Sequence, residues 1–271
     1  MPGEPTDLLL RPQGEICWVT INRPVDRNSI NSPLMDQVVA LLERMERTSI
    51  RALVFTGAGT SHFIGGADGV EMMELDPEGG RRFSRAFQAL LNRMEASPLL
   101  LVAAINGLCF GGGFEFALAC DLRVAARGAR IGLPEVKVGL IPGGGGTQRL
   151  PRLVGGGLAM EMILSGRLYP GQEAARLGLV QRVVEDGGLE QGVADLLGPI
   201  LKNPQHALSL AKLAVKAAQG VALGPGLEAE AELFGRCHEH GFFRDLMLEQ
   251  LASGALSTSA DKQGTVKGGG R

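Results

Sequence analysis

The sequence predicts an α/β protein, and three observations support that prediction. Short apolar runs typical of strands alternate along the chain with longer amphipathic segments typical of helices. The strand-like runs are apolar on both faces, as in a sheet that is covered on both sides. Beyond residue 187 only helical patterns follow. We therefore expect an α/β core followed by a helical region.

The first strand and the first helix are predicted within residues 15–47. The run 15–22 (EICWVTIN) combines an aromatic residue with β-branched ones and ends at Arg23-Pro24. Ser32-Pro33 then provides a helix start, and apolar residues recur on one face to about residue 47. That face comprises Leu34, Val38, Leu41, Leu42 and Met45.

The alternation continues through the rest of the core. Residues 50–56 predict a strand closed by Gly-Ala-Gly-Thr, and residues 80–96 predict a helix. A strand at 99–105, a helix that contains Glu115 and a strand at 122–126 follow. Strands and helices in this order are typical of an α/β fold.

The last part of the chain is predicted to be helical, with helices at 189–201, 204–218 and 225–240. Their apolar faces need a partner, and contact between subunits would supply one. The final segment has almost no large apolar residues, so we expect it to be disordered. The expected organisation is a core at 1–187, a helical oligomerisation region at 188–253 and a disordered tail at 254–271.

Composition narrows the possible partners. The 271 residues are 45% apolar, which is enough for a sizeable core, and the net charge is −2 with acidic and basic residues interspersed. This balance argues against nucleic acid or an anionic membrane as the main partner. The 40 glycines cluster in loops rather than repeating with a period. Loops of this kind favour a close approach between backbone and ligand.

The cysteines and the N-terminal segment indicate a cytoplasmic protein without membrane insertion. The four cysteines lack CxxC spacing and lie in apolar stretches, as buried free thiols do in a reducing compartment. The first residues have neither the pattern of a signal peptide nor that of a transit peptide. The longest apolar run, residues 99–110, is too short to span a bilayer.

Several common catalytic motifs are missing. The sequence GGGGTQRL at 143–150 lacks the ending of a phosphate-binding P-loop, and no GxGxxG follows the first strand. There is no GxSxG for a serine hydrolase and no HExxH for a metal. The sequence thus predicts no metal site and no bound nucleotide cofactor.

Two glutamates are the candidate catalytic side chains. Glu115 lies in the apolar segment GGGFEFALACD, and Glu135 lies among glycines and prolines in IGLPEVKVGLIPGGGG. A carboxylate in such surroundings costs several kcal/mol unless it is compensated. One interpretation is that the negative charge of Glu115 only stabilises the N-terminus of its own helix. Two carboxylates that meet in one pocket would instead serve acid–base chemistry.

Two glycine clusters are candidate sites of backbone hydrogen-bond donors. FIGGADG at 63–69 follows a strand, and GGG at 111–113 begins the helix of Glu115. Free N–H groups at a helix start, without a Cβ to obstruct them, can stabilise a developing oxyanion. Each cluster alone could be only a turn. The two downstream glutamates favour the catalytic interpretation.

These segments together resemble the crotonase, or enoyl-CoA hydratase/isomerase, superfamily. The similarity runs continuously from about residue 16 to about residue 184 and is closest to enoyl-CoA hydratases. The matching stretches are RPVDRNSINSPLM, FIGGAD, VAAINGLCFGGGFEFALACDLRVAA, ARIGLPEVKVGLIPGGGGTQRLPRLVG and SGRLYPGQEAARLGLV.

The resemblance implies a spiral of ββα repeats that ends in a helical trimerisation region, and an acyl-CoA thioester as substrate. Coenzyme A is then part of the substrate, and no other cofactor is needed. The assembly would be a homotrimer or a dimer of trimers. The implied reaction adds water to a 2-enoyl-CoA and gives a 3-hydroxyacyl-CoA.

Site residues follow from the same resemblance, position by position. The thioester oxygen would be held by the N–H groups of Ala67 and Gly112, and Glu115 and Glu135 would be the catalytic carboxylates. The family's usual mechanism gives Glu135 the proton for Cα and Glu115 the activation of water, but the sequence alone leaves the roles open. Further substrate- or water-binding positions would be Gly66, Asp68, Gly111, Gly143 and Arg27.

For Arg27 and Asp68, a role other than substrate binding is also consistent with the sequence. Arg27 either contacts the coenzyme A phosphates or is a solvated surface residue. Asp68 suits a loop cap better than a catalyst. The C-terminal region, HEHGFFRDLMLEQLASGALSTSADKQG, also lacks the Lys/Arg-Pro ending that covers coenzyme A in many hydratases.

Other activities remain open within the superfamily. A Δ3,Δ2-enoyl-CoA isomerase needs one carboxylate, at the position of Glu135, so the presence of Glu115 favours a hydratase. A CoA thioester hydrolase would usually differ at both positions. A non-catalytic, RNA-binding member would need clustered lysines and arginines, which the near-neutral composition does not indicate.

Overall fold

A computed structural model describes residues 7–218, 220–253 and 255. The chain divides into two compact units, Met1–Gln205 and His206–Arg271. The disordered tail predicted at 254–271 lies, except for residue 255, outside the described residues.

The strands of the first unit belong to two sheets. They are β1 (Leu8–Gln13), β2 (Ile16–Ile21), β3 (Ala52–Gly57), β4 (His62–Ile64), β5 (Leu100–Ile105), β6 (Leu108–Phe110), β7 (Leu122–Ala126), β8 (Arg130–Gly132), β9 (Tyr169–Pro170) and β10 (Arg182–Val184). The larger sheet has the order β1-β2-β3-β5-β7-β10, and the smaller one has the order β4-β6-β8-β9. Pairing is parallel except between β1 and β2 and between β8 and β9.

Helices connect and follow these strands. They are α1 (Ser32–Met45), α2 (Gly69–Met73), α3 (Pro77–Glu95), α4 (Gly112–Ala119), α5 (Gly146–Val154), α6 (Gly156–Ser165), α7 (Gly171–Arg176), α8 (Leu189–Leu201), α9 (Gln205–Ala217), α10 (Leu223–Cys237) and α11 (Phe242–Ala252). Short 3-10 helices occupy Pro24–Asp26, Glu135–Val138 and His238–His240.

The order of elements repeats a ββα turn. The strands β3, β5 and β7 of the large sheet are each followed by a short strand of the small sheet, β4, β6 and β8, and then by helical structure. The parallel register pairs Leu53 with Leu101 and Val102 with Leu122, so each turn stacks on the one before. This is the predicted α/β spiral of ββα repeats.

The predicted core elements are confirmed, with boundaries shifted by a few residues. The strand at β2 and the helix at α1 have the expected apolar faces, and α1 begins where the Asn31 side chain accepts from the N–H of Leu34 at 3.0 Å. The short strands β4, β6, β8 and β9 were not predicted. With only two or three residues each, they have no readable periodicity.

The second unit is helical, as predicted, and its described part contains α10, α11 and most of α9. The helix α11 was not among the three predicted ones. Within the unit, the rings of His206 and His240 lie 4.5 Å apart, and the His238 ring contacts Phe234 and Phe243 edge-on.

The compact units divide after Gln205, so the first unit includes α8. Gly192 of α8 packs directly against Val184 of β10, which explains why this helix groups with the core. Among the described helices, none is both long and apolar enough to cross a membrane.

Candidate active site

Glu115 is a buried carboxyl in the first turn of α4. The N-cap of this helix is Gly111, whose carbonyl accepts from the N–H of Glu115 at 3.0 Å. The residue is only 2% exposed. Its Oε1 accepts a hydrogen bond of 2.7 Å from the N–H of Gly146, at the start of α5. The carboxyl of Glu115 is therefore bound at the N-terminus of a second helix, α5.

Two opposing influences act on the ionisation of Glu115. Burial raises the pKa of this carboxyl above its usual value. The backbone N–H groups of Gly146, Gly144 and Gly145 and the charge of Arg149 act in the opposite direction, because they stabilise the carboxylate. The site thus offers Glu115 several groups that favour its ionised form.

Glu135 lies in a different environment. It is the first residue of the 3-10 helix Glu135–Val138, and both of its carboxyl oxygens are buried without a hydrogen-bond partner among the described residues. Burial, with a further contribution from the negative charge of Glu115, raises the pKa of Glu135 to about 7. A buried carboxyl whose oxygens lack hydrogen-bond partners favours the protonated form.

The two carboxyl groups converge on one place. A Cβ at Gly111 would lie 3.5 Å from Oε1 of Glu135, and Gly111 is also the N-cap of the helix of Glu115. The charge of Glu115 influences Glu135 directly. Where two carboxyls lie close together, the state with one protonated and the other ionised is favoured over the state with both ionised.

Ala67 and Gly112 present two neighbouring N–H groups. A Cβ at Gly112 would lie 3.2 Å from the nitrogen of Ala67. Neither N–H has a hydrogen-bond partner in the part of the chain that the structure describes. Two adjacent unpaired donors are what a site that binds an oxyanion needs.

The direction of both N–H groups is fixed by the carbonyl of the preceding residue. The carbonyl of Gly66 accepts from the N–H of Ile30 at 2.8 Å, and the carbonyl of Gly111 accepts within α4. In a planar trans peptide the N–H points opposite to the C=O of the same unit. The N–H groups of Ala67 and Gly112 are therefore held pointing away from those bonds.

Glycine is required at several of these positions. A Cβ at Gly113 would lie 2.0 Å from the carbonyl oxygen of Ile64, and one at Gly144 would lie 2.5 Å from the Phe87 ring. Gly66 and Gly111 have φ angles of 96° and 56°, which side chains rarely adopt. The glycine clusters hence permit a close approach between backbone segments as well as turns.

The helix α3 holds the loop that carries Gly143. The carbonyl of Gly143 accepts from Ser84 Oγ at 2.7 Å and from Gln88 Nε2 at 2.8 Å. Its N–H, which the resemblance assigned to water binding, has no partner within the described ranges. One further residue, Arg149, donates to the carbonyl of Gly144 at 2.8 Å.

Asp68 caps a helix, as its position in the loop suggested. Its Oδ1 accepts from the N–H groups of Val70 and Glu71, and its Oδ2 pairs with Arg23 at 2.8 Å. The Arg27 side chain is exposed, and the carbonyl of Arg27 accepts a hydrogen bond from the N–H of Gly65. A contact of either side chain with substrate stays a prediction.

Sequence reasoning missed the residues around the carboxylates. Ser84, Gln88 and Arg149 contact the glycine loop, and Phe87 packs between Gly112 and Gly144. The spacing of Ser84, Gln88 and Asn92 puts three polar residues on one side of α3. That signal is indistinguishable from an ordinary solvated helix face until the fold places the loop beside it.

Nothing in the described residues forms a group of three or more His, Cys, Asp or Glu side chains suited to a metal ion. The groups that the structure places here are the N–H groups of Ala67 and Gly112, unpaired within the described part of the chain, and the carboxyls of Glu115 and Glu135.

The chain is similar in sequence to known proteins of one family. The profile of the family described as enoyl-CoA hydratase/isomerase matches residues 11–248. The chain is 37% identical over 245 residues to the short-chain-enoyl-CoA hydratase of Clostridium acetobutylicum, which covers 90% of this chain and 94% of that protein. It is 40% identical over 230 residues to the 2,3-dehydroadipyl-CoA hydratase of Escherichia coli, covering 84% and 89%.

A solved structure shows the same fold. The crystal structure of an enoyl-CoA hydratase from Bacillus anthracis superimposes with a TM-score of 0.85 at 34% sequence identity. The superposition covers 92% of this chain and 96% of that one.

Proposed function

The chain belongs to the enoyl-CoA hydratase/isomerase family, and we propose on that premise that it adds water across the 2,3 double bond of a 2-enoyl-CoA to give a 3-hydroxyacyl-CoA. The observation that carries this proposal is the pairing of two buried carboxyls with two unpaired backbone N–H groups. Relatives named as hydratases, similar over most of their length, support it.

The thioester carbonyl oxygen is bound by the N–H groups of Ala67 and Gly112. Both donors are already oriented, so they need no reorganisation as negative charge develops on the oxygen. The first turn of α4 adds the positive end of its dipole at the same place. Polarisation of the C=O makes Cβ of the conjugated thioester electrophilic.

Water is added by the two glutamates in complementary ionisation states. Glu115, stabilised as a carboxylate by backbone N–H groups, accepts a proton from the water whose oxygen bonds to Cβ. Glu135 is kept protonated because its carboxyl oxygens are buried without hydrogen-bond partners among the described residues, and it gives its proton to Cα. The N–H of Gly143 orients the water. Return of the proton from Glu115 to Glu135 restores the pair for the next turnover.

The contrast between the two environments is what supports this division of roles. The carboxyl with hydrogen-bond donors suits the base, and the carboxyl without them suits the acid. An isomerase would need only one carboxylate. Isomerase activity therefore does not explain why backbone N–H groups stabilise a second carboxyl, Glu115.

The proposal extends to assembly, location and pathway. We propose a homotrimer or a dimer of trimers, located in the cytoplasm and serving fatty acid β-oxidation, in which coenzyme A enters and leaves as part of the substrate. Arg27, exposed beside the Gly65–Ala67 segment, would contact the coenzyme A phosphates, and Gly66, Asp68 and Gly111 would line the substrate.

The direct test is turnover of crotonyl-CoA, followed by the loss of absorbance of the conjugated thioester, in parallel with a 3-enoyl-CoA. We expect hydration of crotonyl-CoA to 3-hydroxybutyryl-CoA. Isomerisation of the 3-enoyl-CoA with an inert crotonyl-CoA would support the isomerase instead. Release of free coenzyme A thiol from saturated thioesters would indicate a hydrolase.

A further inference from the structure

The loop that carries Gly143 to Gly146 is held from two sides by side chains that lie outside the carboxylate pair. From α3, Ser84 Oγ and Gln88 Nε2 both donate to the carbonyl oxygen of Gly143, at 2.7 and 2.8 Å. Gln88 also donates to Ser84 Oγ at 3.0 Å, so the two side chains form one unit.

Arg149 holds the next carbonyl. Its Nη1 donates to the carbonyl oxygen of Gly144 at 2.8 Å, while its Nη2 binds Asn92 Oδ1 and Glu95 Oε2 of α3, both at 2.8 Å. The guanidinium is therefore anchored to α3 on one side and to the loop on the other.

These contacts determine where the loop N–H groups point. Each held carbonyl belongs to the same peptide unit as the N–H of the following residue, so the units 143–144 and 144–145 are both fixed. No described peptide bond is cis, and in a trans unit the N–H points opposite to the C=O. With the carbonyls directed to α3 and Arg149, the N–H groups of Gly144 and Gly145 point to the opposite side. Glu115 lies close to this loop: a Cβ at Gly144 would be 2.8 Å from its Oε2, and the N–H of Gly146 donates to its Oε1 at 2.7 Å.

We infer that Ser84, Gln88 and Arg149 are positioning residues that act through Glu115: by holding the carbonyls of Gly143 and Gly144, they aim the N–H groups of Gly144 and Gly145 at its carboxylate. This inference rests on the proposed hydratase activity and deepens it. None of the three side chains needs to touch the substrate, because their effect passes through the peptide units.

Other charged groups around Glu115 are few. Glu135 faces it from the 3-10 helix, and Arg149 faces it from α5. Glu95 of α3 pairs with Arg149 at 2.8 Å and thereby limits the effect of its positive charge. The N–H of Gly146 and the charge of Arg149 remain near this carboxyl when the Gly144 unit is disturbed, so a partial loss of stabilisation is expected.

The test is the pH dependence of crotonyl-CoA hydration in Ser84→Ala, Gln88→Met and the double variant. Removal of the donors should let the 143–144 peptide unit rotate. The ionised form of Glu115 then becomes less stable, and the pKa of this carboxyl rises. We expect kcat to fall about 10- to 100-fold, as for the loss of a hydrogen bond to a charged group, with KM changed by less than about threefold. The acid limb of kcat/KM should move up by about one pH unit.

Matched controls carry the same substitutions at exposed positions. Gln191→Met removes a glutamine of α8 that bonds only to Asp195 among the described residues, and Arg152→Lys is the control for Arg149→Lys. Arg149→Lys keeps the charge but cannot bind α3 and Gly144 at once, so it should reproduce part of the loss. Both controls should retain the wild-type profile.

A merely structural role is excluded by combining the variants with Glu115→Gln. If Gln88 acts through Glu115, Gln88→Met should cause no further loss of kcat in that background. Multiplication of the two losses, or an unchanged acid limb in the double variant, would overturn the inference. Should the double variant not fold, Ser84→Ala alone serves the same test, since it removes a single oxygen atom.

A second readout does not depend on turnover. In protein labelled with 13C at the glutamate carboxyls, the resonance assigned by its loss in Glu115→Gln should titrate at higher pH in Ser84→Ala than in the wild type. An unchanged titration would overturn the inference even if the enzyme hydrates crotonyl-CoA. A shifted titration in a protein inactive on crotonyl-CoA would retain the positioning role and overturn the hydratase.

Discussion

At the scale of single residues, the two glutamates differ in the number of donors that surround them. Glu115 receives the N–H of Gly146 at 2.7 Å, whereas the oxygens of Glu135 have no donor among the described residues. Burial raises the pKa of both carboxyls, but backbone N–H groups offset the rise at Glu115, so the two side chains suit different roles in acid–base catalysis.

The pH dependence of kcat/KM follows from this difference. Glu135 must be protonated in the free enzyme, and its pKa is about 7, so kcat/KM should fall as the pH rises through that value. Glu115 must be ionised, and burial raises its pKa, so the acid limb should lie above the range of an ordinary glutamate. Steady-state kinetics between pH 5 and 9 measure both limbs, and a constant kcat/KM from pH 6 to 9 would contradict the assignment.

The raised pKa of Glu135 also has a cost in stability. Because the folded state binds a proton more tightly than the unfolded state, the protein should lose stability as the pH rises from 4.5 to about 7. The loss is at most about 3 kcal/mol for a shift of this size, since the residue is partly exposed. Glu135→Gln should therefore raise the thermal midpoint at pH 8 and have little effect near pH 4.5.

The control for this stability effect is Glu190→Gln, at an exposed glutamate paired with Arg11. It should not raise the midpoint at either pH. If Glu135→Gln lowered the midpoint at pH 8, the carboxylate would have hydrogen-bond partners that the structure does not indicate.

At the scale of elements, α4 links the two halves of the site. Its N-terminal turn carries Gly112 and Glu115, while its C-terminal end is closed by the buried Arg123, which donates to the carbonyls of Ala117 and Cys120 at 3.1 and 2.8 Å. A cation at this end stabilises the helix and leaves its positive end free for the substrate oxygen.

Close packing of α4 against β4 predicts that Gly113 cannot be replaced. A methyl group at Gly113 would lie 2.0 Å from the Ile64 carbonyl, so Gly113→Ala should destabilise the protein by about 3 kcal/mol or more. Gly80→Ala, within α3 where a Cβ meets nothing within 4 Å, should instead stabilise it by about 0.5 kcal/mol. Chemical denaturation compares them, and equal stability of the two variants would contradict the packing.

The elements also show what the sequence could predict. Helices such as α1 and α3 are long enough for their apolar periodicity to be recognised, and β5 is recognised as a continuous apolar run. The glutamate of α4 is notable from its apolar neighbours alone. The strands of the small sheet and the α3 contacts with Gly143 depend on residues distant in the chain. No local pattern distinguishes Gln88 from a solvated glutamine, so tertiary structure was needed to identify it.

At the scale of the whole molecule, the helical unit exposes a set of apolar side chains. Phe234, Phe242 and Phe243 are 66%, 47% and 55% exposed in the single chain. Apolar surface of this kind suits association with further copies, in line with the proposed trimer.

The mass in solution should therefore be three or six times 28.5 kDa. Light scattering after size exclusion measures it, and Phe234→Ser should increase the fraction of smaller species on dilution, since it removes exposed apolar surface. Val25→Ser, at an exposed position of the first unit, is the matched control and should leave the mass unchanged. A wild-type monomer at micromolar concentration would contradict the proposed assembly.

The decisive experiment on the two-glutamate mechanism is crotonyl-CoA hydration by the wild type beside Glu115→Gln and Glu135→Gln. If the two carboxyls divide base and acid roles, both variants should remain folded and lose at least about 100-fold in kcat. Full hydratase activity in the folded Glu115→Gln variant, with activity lost only in Glu135→Gln, would contradict the two-glutamate mechanism.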